Sequence, residues 1–413
     1  MTPPEPVAGS SASTFEEGTP PRRRWLGLVL AVLVLVGMGW LARPAPEPPP
    51  ELVVSESPEP TPSATATLEP EDTRPPVATG RWTVLSPVEA PARTRQTMLW
   101  TGSEVLVFGG QPDPGPDTGL VLDPDADTWR RMAESPIGSR SGHTAVWTGR
   151  EMIVFEGAPV GQFAAVVSQD VDGAAYDPAT DTWREIARAP VNPRSGHVAL
   201  WTGEEMLVFG GSRTFETNVQ AGAYEPDTDT WRLTAPAPLP RGFGLIAGVW
   251  TGEEAVFWTG RGPEDVAAYD PATDTWRLLP PSPVGMRSVA ATWTGREMIL
   301  LGVPEAGSED IGGMALDMEE ERWTVLPPSP QAFAATRVAE WTGEQVVMLG
   351  GPQDQPGVAW TPARATWEML PPAPQPATSG HSAVWIGDSL LLWGGFTAEW
   401  PTATGAVWTP TPG

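Results

Sequence analysis

Several residue types are missing from this chain of 413 residues. It has no cysteine, which excludes disulfide bonds, thiolate nucleophiles, cysteine-ligated metals and a lipid-anchor cysteine. It has no lysine, so all 25 basic residues are arginine, and the formal net charge of −26 disfavours nucleic acid and anionic lipid as partners. With 50 prolines and 44 glycines, long helices are not expected outside one segment.

That segment is the apolar run of residues 25–42, WLGLVLAVLVLVGMGWLA. At ~1.5 Å per helical residue it is about one bilayer crossing long, which predicts a single transmembrane helix. Three arginines precede the run and one follows it, so the positive-inside rule places the N-terminus in the cytoplasm and the rest outside the cell membrane. A cleaved signal peptide is the alternative. Because no small-residue cleavage site follows the run, we expect an uncleaved signal anchor.

Two polar segments flank the apolar run. Residues 1–24 are rich in proline and polar residues and are predicted to be a disordered cytoplasmic tail. Residues 43–79 are dense in Pro, Glu, Ser and Thr, a composition that cannot form a core and predicts an extended stalk. Residues 80–413 have a regular pattern and are predicted to form the folded domain.

Two tryptophan-containing phrases each recur seven times in that domain, and self-similarity at a period of roughly 40 to 50 residues predicts a repeat architecture. The first phrase is Trp-Thr-Gly or a close variant, with its tryptophan at Trp100, Trp147, Trp201, Trp250, Trp293, Trp341 and Trp385. The second phrase ends in tryptophan, usually within Thr-Trp-Arg, at Trp82, Trp129, Trp183, Trp231, Trp276, Trp323 and Trp367.

Each unit contains four short runs typical of β-strands, separated by turns rich in Gly, Asp and Pro. Four strands per unit, repeated radially, predict an all-β, seven-bladed β-propeller. The last unit lacks a fourth strand, and the strand at residues 81–85 lacks a unit of its own. We therefore expect the N-terminal strand to complete the last blade and close the ring, which removes an exposed edge.

The pattern resembles the kelch-repeat family, through paired glycines followed by Tyr and then Trp. The pairs are Gly109-Gly110, Gly210-Gly211, Gly350-Gly351 and Gly394-Gly395. The resemblance covers about residues 80–410 and implies a kelch-type propeller like that of galactose oxidase. The oxidase chemistry is not implied, because it needs a Cys–Tyr crosslink. WD40 propellers are rejected, because no Trp-Asp dipeptide follows the Gly-His pairs.

Three arginines stand seven residues before the first-phrase tryptophan of blades one, two and three: Arg93, Arg140 and Arg194. Guanidinium groups bind carboxylates through two parallel hydrogen bonds. Gathered at one mouth of an acidic propeller, these arginines predict a binding site for an anionic peptide or an acidic sugar. The alternative is structural: they pair with nearby acids or stack on tryptophans between blades.

Three histidines, His143, His197 and His381, stand four residues before that tryptophan in blades two, three and seven. We include them as candidate ligand-binding residues near the same mouth, with a polar repeat residue at a strand start as the alternative. No metal site is expected, because convergent acidic or imidazole partners are missing. The aspartate-rich turn at 123–127 lacks the glycine and distal glutamate of a calcium loop and is interpreted as structural. No catalytic residue or cofactor site stands apart from the repeat.

The loops that vary in length are predicted to share one face of the propeller, which we call the variable-loop face, and the uniform turns to share the other. Function is expected on the variable-loop face of a monomeric binding module for a protein or glycan partner. A plain surface scaffold is one alternative. Another is an isomerase or hydrolase that acts on an acidic sugar, as in kelch-type sialic-acid isomerases. An enzyme predicts a deep pocket with a carboxylate beside the arginines, whereas a binding module predicts an aromatic-bearing rim.

Overall fold

The structure is a computed structural model. It describes residues 78–112, 119–160, 172–191, 195–212, 221–239, 247–260, 265–305, 312–331, 338–349, 356–374, 380–397 and 400–411. The chain divides into two units, Met1–Glu71 and Asp72–Gly413, and every described residue belongs to the second. Within these ranges no helix has the length and hydropathy that a membrane crossing requires. The predicted tail, anchor and nearly all of the stalk lie outside the described residues.

The described chain is built from short strands in sequence order. The first fifteen are β1 (Gly80–Val84), β2 (Thr97–Trp100), β3 (Val105–Phe108), β4 (Gly119–Asp123), β5 (Thr128–Arg131), β6 (Arg140–Ser141), β7 (Thr144–Trp147), β8 (Met152–Phe155), β9 (Ala158–Pro159), β10 (Gly173–Asp177), β11 (Thr182–Glu185), β12 (Ser195–Trp201), β13 (Met206–Ser212), β14 (Gly222–Glu225) and β15 (Thr230–Leu233).

The second half of the ring follows the same order. Its strands are β16 (Ala247–Trp250), β17 (Ala255–Trp258), β18 (Val266–Asp270), β19 (Thr275–Leu278), β20 (Met286–Trp293), β21 (Glu297–Pro304), β22 (Gly313–Asp317), β23 (Arg322–Leu326), β24 (Val338–Trp341), β25 (Val346–Leu349), β26 (Val358–Thr361), β27 (Thr366–Met369), β28 (Ser382–Trp385), β29 (Leu390–Trp393) and β30 (Gly405–Pro410). A 3-10 turn, Pro362–Arg364, joins β26 to β27.

The strands form seven four-stranded antiparallel sheets, which are the blades of a propeller. Written from the innermost strand outwards they are β2-β3-β4-β5, β7-β8-β10-β11, β12-β13-β14-β15, β16-β17-β18-β19, β20-β21-β22-β23, β24-β25-β26-β27 and β28-β29-β30-β1. The innermost strands contact one another in blade order, and β28 contacts β2. The ring is therefore closed, as predicted, and β6 and β9 form a small extra ribbon at blade two.

The closing strand β1 pairs with β30 and completes the seventh blade from the N-terminal side. Trp82 lies opposite Trp408 in this pair, and Gly80 lies opposite Pro410. The second-phrase tryptophan of β1 thus takes the outermost position that the corresponding tryptophans take in the other blades. The prediction that the isolated strand closes the ring is confirmed.

The apolar core consists of seven clusters, one in each seam between neighbouring blades. The second strand of each blade supplies much of it, because both of its faces pack against a neighbouring blade. All four residues of β3, β8, β17, β25 and β29 are buried. Burial on both faces explains why these strands are continuously apolar rather than alternating.

A repeated contact explains the constant spacing between the third and fourth strands of a blade. Tyr176 lies opposite Trp183 across the β10–β11 pair, and their rings pack with centroids 5.1 Å apart. The turn between the two strands contains Asp181 at a left-handed φ of 50°. Tyr176 donates its hydroxyl hydrogen to this carboxylate at 2.7 Å. The interval of seven residues from Tyr176 to Trp183 is therefore the length of the turn and the strand residues that bring this pair opposite each other.

A second repeated contact joins each blade to the one before it. Trp183 donates from Nε1 to the Ala133 carbonyl at 2.9 Å, and Trp276 donates to the Ala235 carbonyl at 2.8 Å. The outermost tryptophan makes this hydrogen bond in six of the seven seams among the described residues. At the closing seam, no described residue accepts from Trp129 Nε1.

Among the described residues, a third contact joins neighbouring blades at four seams, from the seam of blades one and two to the seam of blades four and five. Arg232, on the outermost strand of blade three, binds Glu205 of its own blade at 2.6 Å and the Tyr269 hydroxyl of blade four at 3.0 Å. Arg130, Arg184 and Arg277 hold the equivalent positions. Blades five, six and seven have Thr324, Glu368 and Thr83 there. The ring is thus more regular in its first four blades than in its last three.

Candidate functional site

The innermost strands of all seven blades line a cavity of about 690 Å³ on the ring axis. Small residues dominate its wall, because seven strands converge there. The position two residues before each first-phrase tryptophan is alanine or glycine in six blades, and it is methionine only at Met98. The cavity is a candidate ligand site, and its polar groups decide what it accepts.

His143 lies buried directly before β7, on the cavity wall, and joins blade two to blade one. Its Nε2 is 3.1 Å from Thr97 Oγ1, and the ring also hydrogen-bonds the backbone of Phe108. The Phe108 and His143 rings make an edge contact, with centroids 5.6 Å apart. Burial, assisted by the nearby positive charge of Arg140, lowers the pKa of His143 to about 3. The imidazole is therefore neutral at physiological pH.

The other two histidines repeat this contact at their own seams. His197 Nε2 is 2.7 Å from Thr144 Oγ1, and His381 hydrogen-bonds the backbone of Leu349. Burial lowers the pKa of His381 to about 4. In blade one the equivalent residue is Gln96, which donates from Nε2 to the Trp393 carbonyl at 2.9 Å. A glutamine at the same position shows that the contact needs a planar hydrogen-bonding side chain rather than an imidazole.

Arg93 and Arg140 are buried inside the ring, with 0% and 3% of their surface exposed. Each donates from Nη1 to the carbonyl directly after the second strand of its own blade: Arg93 to Gly109 at 3.4 Å and Arg140 to Glu156 at 2.9 Å. Arg140 also donates from Nη2 to the Ile137 carbonyl at 2.7 Å. Burial lowers the pKa of Arg140 to about 10, opposed by the negative charges of Glu156 and Asp172.

These contacts favour the structural alternative for the arginines. The repeat phase of Arg93 and Arg140 corresponds to a hydrogen bond that fixes the loop entering each blade. Arg93 also lies over the Trp393 ring, 5.8 Å from its centroid. Arg194 lies outside the described residues. Ligand binding by the three arginines and three histidines therefore stays a prediction, and the contacts of the five described residues support a structural role.

Glu340, on the innermost strand β24, lines the cavity and was missed by the sequence analysis. It is the only acidic side chain among the described residues of the cavity wall. Burial raises the pKa of the Glu340 carboxyl to about 7, although the backbone N–H of Trp385 opposes this by donating a hydrogen bond to it. The signal that could have revealed Glu340 is its departure from the apolar residues found one position before most first-phrase tryptophans.

Trp400 and Phe396 are the second feature that the sequence analysis missed. They lie in the loop between β29 and β30, which leaves blade seven on the variable-loop face after Gly394-Gly395. Trp400 is 72% exposed and Phe396 is 41% exposed. The loop tip is held by hydrogen bonds from the Thr397 N–H to the Trp400 carbonyl (2.8 Å) and from the Trp400 N–H to Thr397 Oγ1 (3.0 Å). A fixed, exposed tryptophan thus stands on the rim.

The loop base is attached to the start of blade one. The Gly395 N–H donates to the Arg93 carbonyl at 2.9 Å, and the Thr402 N–H donates to the Gly395 carbonyl at 2.8 Å. The aromatic tip is therefore anchored at both blades of the closing seam. An exposed aromatic side chain is one of the features that a binding module predicts, and the choice between the two predicted arrangements stays a prediction. Arg93 and Arg140 lie buried in the seams, whereas Arg95 is exposed and lines the axial cavity together with Glu340.

The closed ring, the paired glycines and the Tyr–Trp contacts together define a kelch-type seven-bladed propeller. Comparison with protein families agrees: the family model described as the KLHDC2/KLHL20/DRC7 Kelch-repeats domain matches residues 95–303, about half of the chain. The chain belongs to this kelch-repeat family. The match runs from β2 into blade five, the part of the ring that carries the regular arginine contacts. A search of curated proteins gave no match.

Proposed function

We propose that this chain is a membrane-tethered binding module that holds a protein partner on its variable-loop face, with Trp400 at the centre of the contact. The kelch propeller supplies a rigid frame, and function on such frames is carried by loops that differ between repeats. The observation that carries the proposal is the exposure of Trp400 on a hydrogen-bonded tip.

An exposed tryptophan on a fixed loop suits a binding hot spot. Tryptophan supplies a large apolar area and loses little side-chain entropy on binding, so it is enriched among the residues that dominate interface energies. Thr397 and the attachment to blade one already hold the tip, which reduces the ordering cost of binding. Removal of such an anchor costs about 2 kcal/mol, or a weakening of affinity by about 30-fold.

The chemistry of the partner follows from the charges on this face. The guanidinium groups of Arg93 and Arg140 are buried, so they give little support to an anionic peptide or acidic sugar as the ligand. The aromatic tip favours a partner with an apolar patch. A glycan that stacks on Trp400 is the other outcome that the test below distinguishes. The chain's net charge of −26 argues against nucleic acid.

The proposed location rests on sequence alone. Residues 25–42 have the length and composition of a single transmembrane helix, preceded by Arg22, Arg23 and Arg24. We propose that this segment anchors the chain with its N-terminus in the cytoplasm and its propeller outside. Protease added to intact cells should then degrade the propeller. Survival of the propeller until the membrane is permeabilised would reject this orientation.

The binding proposal is tested by quantitative capture from native membranes with the full-length chain as bait. Three baits are compared: wild type, Trp400→Ala and Leu278→Ala. Leu278 is the matched control, because it is 44% exposed on the outermost strand of blade four, far from the seventh blade. We expect one protein to be retained by wild type and Leu278→Ala and reduced about 30-fold by Trp400→Ala. Equal retention of that protein by all three baits would reject the proposed binding face. Retention of a glycan without any protein would mean that the partner is a glycan.

A further inference from the structure

We propose that the axial cavity is a binding site for a small organic cation, a primary ammonium group held against the carboxylate of Glu340. This site is separate from the rim at Trp400 and does not depend on it. It stands on three observations: an acidic residue at a position where the ring is otherwise uncharged, a cavity large enough for a ligand, and the absence of a described ion pair to the carboxyl.

The first observation is the position of Glu340 in the repeat. It occupies the place immediately before the first-phrase tryptophan on an innermost strand. The equivalent residues in the other six blades are uncharged: Leu99, Val146, Leu200, Val249, Thr292 and Val384. Apolar residues at this position pack into the seam with the next blade, as Leu99 and Val249 do. A carboxyl at this position loses the apolar packing, and its charged form is destabilised by desolvation. A cationic ligand can offset that destabilisation.

The second observation is the cavity itself. At about 690 Å³ it falls within the range of small-molecule sites, which is ~300–1,000 Å³. Its wall near Glu340 consists of small apolar residues such as Ala291, Ala339 and Ala383. Polar side chains and the cationic Arg95 also line the cavity, but Glu340 is the one acidic group among its described lining residues. It therefore fixes the orientation of a ligand, with the ammonium at the carboxylate and the apolar portion along the alanine-lined wall.

The third observation concerns the charges around the carboxyl. The strands that pack against β24 are β20, β25 and β28. Their described titratable groups are Arg287, near the start of β20, and His381, directly before β28. Arg287 is exposed at the opposite end of its strand from Thr292, and His381 is uncharged at neutral pH because burial lowers its pKa to about 4. Arg95, which precedes β2, lines the same cavity and is exposed, and Glu344 and Asp388 lie in exposed turns. No described ion pair involves Glu340.

Ionisation gives the proposed site a pH dependence of known sign. Only the carboxylate attracts an ammonium group, and burial places the pKa of Glu340 at about 7. The ionised fraction rises from about one tenth at pH 6 to about nine tenths at pH 8, so affinity should rise about tenfold over this range. Butylammonium stays charged throughout, because amines of this kind have pKa values near 10.

The test uses the full-length chain and n-butylammonium as the probe, with 1-butanol as its neutral match of similar shape. Binding is measured by ligand-observed NMR at pH 6 and pH 8. Glu340→Gln keeps the shape of the side chain and the acceptor for the Trp385 N–H while removing the charge. Glu344→Gln removes an exposed carboxyl three residues beyond the same strand. Circular dichroism confirms that both variants are folded.

We expect the wild type and Glu344→Gln to bind n-butylammonium about tenfold more tightly at pH 8 than at pH 6, and to bind it more tightly than 1-butanol. Glu340→Gln should lose both the preference for the cation and the pH dependence. Equal binding of the ammonium and the alcohol by wild type would overturn the proposal. Unchanged ammonium binding by Glu340→Gln, or no binding by any folded protein, would also overturn it.

Discussion

Replacing Glu340 by leucine should stabilise the propeller, and by more as the pH rises. Leucine is the residue that blades one and three carry at this position, as Leu99 and Leu200. Burial raises the pKa of the Glu340 carboxyl from 4.5 to about 7 in the folded chain. At ~1.4 kcal/mol per pH unit, this difference corresponds to a loss of unfolding free energy on the order of 3 kcal/mol.

The sign follows from proton binding. Between pH 4.5 and 7 the folded state holds the Glu340 proton more firmly than the unfolded state. The contribution of Glu340 is therefore most favourable below pH 4.5 and is lost as the pH rises through 7. Leucine has no proton to lose. The difference in unfolding free energy between Glu340→Leu and wild type should thus increase by on the order of 3 kcal/mol from pH 4.5 to pH 8.

The assay is urea unfolding followed by tryptophan fluorescence at pH 5, 6, 7 and 8, without added amine. Other groups titrate in both proteins, so the quantity of interest is the difference between variant and wild type at each pH. Glu344→Leu, in an exposed turn, serves as the control and should show a constant difference. A difference for Glu340→Leu that stays constant to within about 0.5 kcal/mol would refute the assignment of a raised pKa to this buried carboxyl.

Three further predictions concern the seams and turns. His143→Ala should lower the free energy of unfolding, measured in urea, by about 2 kcal/mol. His143→Gln should lower it by under half as much, because blade one has a glutamine at the equivalent position. Equal losses for the two variants would contradict the contact described. Trp276→Phe, which removes the bond to the Ala235 carbonyl, should lower stability by about 1 kcal/mol more than Trp129→Phe, where no described acceptor exists. Gly102→Ala should lower the free energy of unfolding by about 1 kcal/mol, because a residue with a side chain is strained at its φ of 102°. Open space surrounds Gly102, so steric overlap does not add to this loss, and an unchanged free energy in urea unfolding would contradict the reasoning.

The seven-bladed ring could be predicted from sequence because its spacing records local contacts. The seven-residue interval from Tyr176 to Trp183 is one hydrogen-bonded pair of strands and the turn between them. The glycine of the Trp-Thr-Gly turn has a left-handed φ in every blade. Closure by β1 followed from counting strands. Features of this kind depend on residues close in sequence, and they recur seven times.

The roles of the arginines and histidines could not be predicted in the same way. Their phase in the repeat was visible, but the groups that they bind are largely backbone carbonyls, such as those of Gly109 and Phe108. Every residue has a backbone carbonyl, so the sequence does not indicate which carbonyl a side chain binds. Whether Arg93 points to an open mouth or into a seam is decided by the packing of neighbouring blades.

Glu340 and Trp400 were missed for a different reason. The sequence analysis relied on residues that recur in every blade, so residues that differ from the repeat were not considered. Both residues are departures: Glu340 replaces an apolar residue on an innermost strand, and Trp400 lies in a loop unlike those of the other blades. A comparison of all seven blades position by position would have identified Glu340. The exposure of Trp400 needed the structure.

The most direct test of the proposed function is site-specific photo-crosslinking in living cells. A photoreactive amino acid is placed at position 396, in the same loop as the retained Trp400, in one full-length protein and at position 278 in another, at matched expression levels. The account predicts that one protein is crosslinked through position 396, is displaced by excess unlabelled propeller, and is absent from the position 278 sample. Identical crosslinking patterns at the two positions, or none that the excess propeller displaces, would contradict a binding face centred on Trp400.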